Sequence, residues 1–193
     1  MKLFCSVTCL LLSSILLFTA CKQEAQPQAP LITNGDIEQD FKGWFVGYDF
    51  QHPTNPNGYA SGVTAAAASS PQHSLIINCN QAKNDSTFCY YGQDKINTSA
   101  ISIGAKLTLN VKIKTNLKGQ GVSLVIRGDK ENKQVLFAST AGKTLITGTQ
   151  EFTEYSVVVD SYPGNIDNLL IFLVYLPNTT GYVYFDDVSL VVN

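Results

Sequence analysis

Long stretches of the chain alternate apolar and polar residues with a period of two, the mark of a strand with one buried face. The clearest is Ala105–Thr115. Leu107, Leu109, Val111 and Ile113 fall on one side, and Thr108, Asn110, Lys112 and Lys114 on the other. Gly121–Gly128 repeats the pattern, with Val122, Leu124 and Ile126 opposite Ser123, Val125 and Arg127. His73–Cys79, Thr87–Gln93, Gln134–Ser139 and Glu151–Asp160 read as further strands. Asn168–Leu176 is apolar throughout, which predicts a strand covered on both faces. Gly181–Asn193 closes the chain with β-branched and aromatic residues and no proline.

Earlier, Leu31–Glu38 predicts an opening strand with an Asn-Gly turn inside it, and Gly43–Tyr48 a second. Asp49–Gly62, rich in Pro, Asn and Gly, predicts a long loop, and Val63–Ala68 another strand. About ten short strands without a βαβ rhythm predict one antiparallel all-β sandwich.

The N-terminus has a different character. Met1-Lys2 and an apolar run to Ala20 form a secretory signal, too short for a stable membrane span. Thr19-Ala20-Cys21 resembles a bacterial lipobox, with Phe18 where leucine is usual. That resemblance implies cleavage of residues 1–20 and a lipid on Cys21. Lys22 resembles the next residue of lipoproteins sent to the outer membrane, facing either the periplasm or the medium. The polar, proline-bearing stretch to Pro30 predicts a tether, so residues 21–30 link the anchor to a single domain at 31–193. A net charge of −2 and a lone arginine, Arg127, give no positive footprint for nucleic acid.

Of five cysteines, Cys5 and Cys9 lie in the signal. Cys79 and Cys89 remain as an even pair in an exported chain, flanking a polar segment that reads as a hairpin loop. A disulfide there would add about 2–3 kcal/mol. The alternative is two buried free thiols.

Adjacent carboxylates, Asp186 and Asp187, interrupt the closing strand. Side chains alternate between faces, so one of the two points inward or lies at a bulge or rim. A buried carboxylate needs a partner or a metal. The candidate partner is Leu31–Glu38, which places the two ends of the domain together around an ion.

The opening Leu31-Ile-Thr-Asn-Gly-Asp-Ile-Glu38 with Phe41-Lys-Gly-Trp44, and the closing Tyr184-Phe-Asp-Asp-Val-Ser-Leu190, resemble the two ends of jelly-roll carbohydrate-binding modules of the family 4/9 and 22 type. Asp36 and Ile37 depart from the Gly-Phe usual there. The resemblance implies a galactose-binding-like jelly roll, a structural calcium and a carbohydrate ligand. Its calcium ligands would be Glu38, Asp186 or Asp187, and the Asp36 carbonyl. Calcium prefers such hard oxygens. The alternative is capping by backbone N–H groups and surface lysine.

No catalytic set is legible. Adjacent strand carboxylates diverge, unlike a glycosidase pair. Neither His52 nor His73 lies near a nucleophile motif. Sugar binding asks instead for aromatic faces and hydrogen-bonding side chains, and nine tyrosines and one tryptophan supply rings. Trp44 is expected in the core. Phe88 and Tyr90 inward would place Tyr91 and Gln93 outward, and with Arg127 and Tyr48 they form the expected sugar platform. The leading expectation is a non-catalytic carbohydrate-binding lipoprotein. A structural or adhesion module binding an envelope protein is the second reading, and an unrecognised hydrolase the third.

Overall fold

The computed structural model describes residues 29–49, 58–81 and 86–193. The signal, Cys21, most of the tether and the centres of two predicted loops lie outside them.

Among the described residues there are nine strands. They are β1 (Phe45–Tyr48), β2 (Ala60–Thr64), β3 (Ser74–Cys79), β4 (Cys89–Gln93), β5 (Leu107–Lys130), β6 (Lys133–Ser139), β7 (Ile146–Val159), β8 (Asn168–Tyr175) and β9 (Thr180–Val192). Every pairing is antiparallel. The expected all-β jelly-roll sandwich is what the chain forms.

The two strands expected at 105–115 and 121–128 are one strand of 24 residues. Leu107–Lys118 pairs with β7 and β9, while Val122–Lys130 pairs with β6 and β8. Gly119 and Gly121, at φ 99° and 83°, make the corner between the halves. A side chain on Gly119 would place Cβ 2.0 Å from the Asn178 carbonyl oxygen, so the corner requires glycine. Through β5 the chain builds a front sheet, β1-β4-β8-β5-β6, and a back sheet, β2-β3-β9-β5-β7. Leu75, Ile77, Leu109, Ile113, Leu124, Ile126, Leu173 and Phe185 fill the space between them. Fully burying each side chain of this size contributes roughly 1.5–3 kcal/mol.

Leu31–Glu38 is a series of turns rather than a strand. Asn34 at φ 51° organises it. Its side-chain amide donates to the carbonyls of Asp40 and Lys42 and accepts from the Gln39 amide, and its own carbonyl accepts the Trp44 indole N–H at 3.0 Å. Ile37 is fully buried and Trp44 is a core residue, as expected. The segment lies against the last strand, where Val188 N–H donates to Gly35.

The expected hairpin between Cys79 and Cys89 is absent. β3 belongs to the back sheet and β4 to the front, and the two do not pair. Both cysteines are buried free thiols, the alternative reading. Burial pushes the Cys89 thiol up to about 12, far from the thiolate form at neutral pH.

Candidate functional site

The strand register assigns the outer face of the front sheet. Gly47 pairs with Tyr90, Tyr90 with Val174, and Val174 with Ser123. The next row is Phe45, Gly92, Phe172, Val125 and Ser139. The third is Leu170, Arg127 and Phe137. Of these residues, Tyr90, Val174, Ser123, Phe172, Val125, Ser139, Arg127 and Phe137 line a groove of about 350 Å³ together with Phe88 and Gln134, and Phe45 stands beside it against Tyr90. Its rings form a chain. Tyr90 meets Phe172 edge-on at 5.1 Å, Phe45 edge-on at 6.2 Å, and Phe88 at 6.0 Å in a tilted contact. Tyr90 lies over Gly47 and Phe45 over Gly92; a Cβ on either glycine would strike the ring at 2.2 or 2.6 Å. Burial raises the Tyr90 hydroxyl above its ordinary value, so it stays a neutral donor.

Arg127 is where its alternation placed it, on this outer face. Its Nε donates to Asp129 at 2.8 Å, and the residue lines the groove. The other three members of the expected platform are on the inner face. Tyr91 is fully buried, and its hydroxyl donates to the carbonyls of Gly62 and Ile76 and accepts from the Gly62 amide. Gln93 is buried and clamps both backbone groups of Thr33. Tyr48 pairs with Cys89, packs on the core and stacks on Tyr59. The parity expected for β4 is therefore inverted. Phe88, Cys89, Tyr90 and Tyr91 are all apolar or aromatic, so the segment carries no alternation to read. Partners supply it instead, because Tyr91 faces Leu173 across the sheet and Tyr90 faces Val174.

The expected carboxylate cluster does come together at the joined ends. The β5–β9 register slips opposite Asp186 and Asp187, and Asp187 has φ 47°, so the pair occupies a β-bulge. The bulge inverts the alternation: Val183 and Phe185 point inward before it, Val188 and Leu190 after it. Asp186 is fully buried. One oxygen accepts from the Ser69 and Ser70 amides at 2.6 and 2.8 Å, the other from the Ser70 hydroxyl and Asp187 amide at 2.8 Å each. Asp187 turns outward to Lys112 Nζ at 2.9 Å and to the Ser69 hydroxyl. Glu38 Oε1 accepts from the Gln72 and His73 amides, which hold its carboxyl below the usual range.

Three of the expected calcium ligands surround one hydroxyl. Ser70 Oγ is 2.8 Å from the Asp36 carbonyl, 3.3 Å from Glu38 Oε1 and 2.8 Å from Asp186 Oδ1. Their hard-oxygen character suits calcium. With Ser70 Oγ they make four oxygens, short of the six to eight that calcium takes. Amide and hydroxyl donors already satisfy the carboxylates. Among the described residues no group of three or more His, Cys, Asp or Glu side chains is arranged to hold a metal.

No protein-family model and no curated protein matches the sequence. Solved structures match in shape. A family 16 carbohydrate-binding module aligns with a TM-score of 0.55 at 19% identity, over 83% of this chain and 99% of its own. A family 61 module in complex with β-1,4-galactotriose aligns with a TM-score of 0.57 at 12% identity, over 86% of this chain and 99% of its own. The chain shares the jelly-roll fold of these modules. The enzymatically active domain of tailspike protein 4 from bacteriophage CBA120 has a TM-score of 0.63 at 14% identity, over 85% of this chain. This chain spans 21% of that one.

Proposed function

We propose that the protein is a non-catalytic carbohydrate-binding lipoprotein of a bacterial envelope, anchored through lipid on Cys21 and taking a poly- or oligosaccharide in the front-sheet groove. The observation that carries this is the aromatic row on the solvent side of the sheet. Phe45, Tyr90, Phe172 and Phe137 face outward, away from the core between the sheets. Rings suit the apolar faces of sugars, and Arg127, Gln134 and Ser139 offer donors and acceptors for hydroxyls. Binding without cleavage is supported by the lining, which carries no pair of carboxylates of the kind glycosidases use. The fold's occurrence in carbohydrate-binding modules agrees.

Affinity electrophoresis in gels containing β-1,4-galactan, xylan or mixed-linkage β-glucan tests the reading. At least one polysaccharide is expected to retard the protein, and Tyr90→Ala with Phe172→Ala to weaken it about tenfold, the equivalent of about 1.4 kcal/mol. Retardation by none, or unchanged retardation of the variant, overturns it.

The proposal includes a calcium ion at the joined ends, with Glu38, Asp186 or Asp187, and the Asp36 carbonyl among its ligands. The convergence of acceptor oxygens on Ser70 supports it. Calcium added to chelator-treated protein is expected to raise Tm through binding to the folded state alone; an unchanged Tm removes the ion and leaves the amide-capped cluster.

A further inference from the structure

The outer face of the back sheet carries a second aromatic feature, far from the groove in the fold. Two rows cross it. Thr149 of β7, Asn116 of β5, Tyr182 of β9 and Asn78 of β3 share one. Lys114 of β5, Tyr184 of β9, Ile76 of β3 and Gly62 of β2 share the next. Tyr182 and Tyr184 are partly exposed, and their rings meet at 5.4 Å and 65°. Val183 and Phe185 already give this strand its hold on the core, so these two rings are not needed to bury it.

The surroundings of the pair are organised. The Asn116 amide donates to the Tyr182 hydroxyl at 3.3 Å, and the Thr149 hydroxyl donates to the Asn116 carbonyl oxygen at 3.3 Å. This relay spans three strands and orients the Tyr182 ring. Beyond Ile76, no described residue lies within 4 Å of a Cβ built on Gly62. Charge is balanced. Lys114 is held by Glu151 at 2.7 Å and Lys112 by Asp187 at 2.9 Å.

We propose that this face is a second carbohydrate site, one that takes a neutral polysaccharide on Tyr182 and Tyr184. It rests on the reading of the groove as a sugar site only in the expectation that one glycan serves both. Two angled rings meet the C–H faces of consecutive sugars, and Asn116, Asn78 and Thr149 meet their hydroxyls. Paired charges favour a neutral chain over an acidic one. A protein partner would seek a contiguous apolar patch with an aromatic anchor at its centre, whereas here Asn116 and Asn78 flank Tyr182 and Lys114 lies beside Tyr184. Sites on opposite sheets would let one molecule engage two chains, or two stretches of one, and gain avidity without new contacts.

The test uses the same polysaccharide gels, with Tyr182→Ala/Tyr184→Ala, Tyr90→Ala/Phe172→Ala and the combination of all four. Tyr182→Phe and Asn116→Ala are milder versions that keep the rings. Thermal melts check that each variant folds. The expected result is residual retardation in the groove variant that vanishes in the combination, with the tyrosine variant alone weakened several-fold. Wild-type behaviour of the tyrosine variant, with no residual binding in the groove variant, overturns the second site and leaves the groove standing. Loss of binding only in the tyrosine variant upholds this site and removes the groove. No retardation of the wild type overturns both. Tyrosine-dependent self-association without glycan binding overturns this site and assigns the face to protein.

Discussion

The two outer faces of the sandwich come from the same alternation, yet they differ in kind. Along β5 the back sheet is apolar inside and polar outside: Lys112, Lys114 and Asn116 alternate with Val111, Ile113 and Thr115, and the lysines have acidic partners. That is the ordinary economy of a half-buried antiparallel sheet. The front sheet carries apolar residues on both faces. Leu124, Ile126 and Leu173 pack inside, and Phe45, Val125, Phe172 and Phe137 stand outside, Phe137 at 55% exposure. The first set holds the core together. The second lies on the face that the proposed carbohydrate would occupy.

The sharpest way to break this contrast is to compare neighbours on one strand. Tyr91→Ala empties a fully buried site, and such truncations cost about 3–5 kcal/mol. A drop in Tm of roughly 10 °C is expected for a chain of this size. Tyr90→Ala, one residue away, is expected to leave the melt nearly unchanged and weaken glycan binding. Equal effects of the two on Tm would erase the distinction between the faces.

Next in size is Asp186→Ala. It strips the Ser69, Ser70 and Asp187 amides and the Ser70 hydroxyl of their acceptor, and buried donors left without partners cost about 1–3 kcal/mol each. Chemical denaturation is expected to show a loss of that order, with glycan retardation intact. A smaller loss is expected for Tyr91→Phe. It keeps the ring and removes the hydroxyl shared by Gly62 and Ile76, about 1 kcal/mol in denaturant.

The smallest effect concerns pH. The Gln72 and His73 amides depress the Glu38 carboxyl in the folded state. Its contribution is therefore present above the ordinary value of 4.5 and is lost as pH falls through the lower folded value. Glu38→Gln is expected to lower Tm slightly at neutral pH and to flatten its fall below about pH 4.5. A parallel shift at every pH would show that the charge of Glu38 is not what the amides hold.

Legibility varied with the clarity of the local pattern. β5 was readable on both sides of its corner, and Arg127 and Ser123 were assigned to the outer face from the strand itself. Trp44 was readable as core. The bulge at Asp186 and Asp187 was readable as a problem, since two carboxylates cannot both face water from one strand. β4 was not readable. Phe88 to Tyr91 is apolar on both faces, so a one-residue error moves every side chain to the other side, and Tyr91 and Gln93 exchanged places with Phe88 and Tyr90. The Cys79–Cys89 hairpin failed for a different reason: a polar loop between strands looks alike whether the next strand pairs or crosses to the opposite sheet.

The sequence by itself determined the fold class and the apolar core, because alternation is local and needs only neighbours to express it. It also marked Asp186 and Asp187, because one of two adjacent strand carboxylates turns inward and a buried carboxylate needs a partner. Only the tertiary structure decided which ring of β4 faces outward, that amides of residues 69–73 cap the carboxylates, and that one strand serves both sheets through Gly119 and Gly121. Those outcomes depend on which strand lies beside which. That is settled by contacts between residues far apart in the chain, and no short stretch records them.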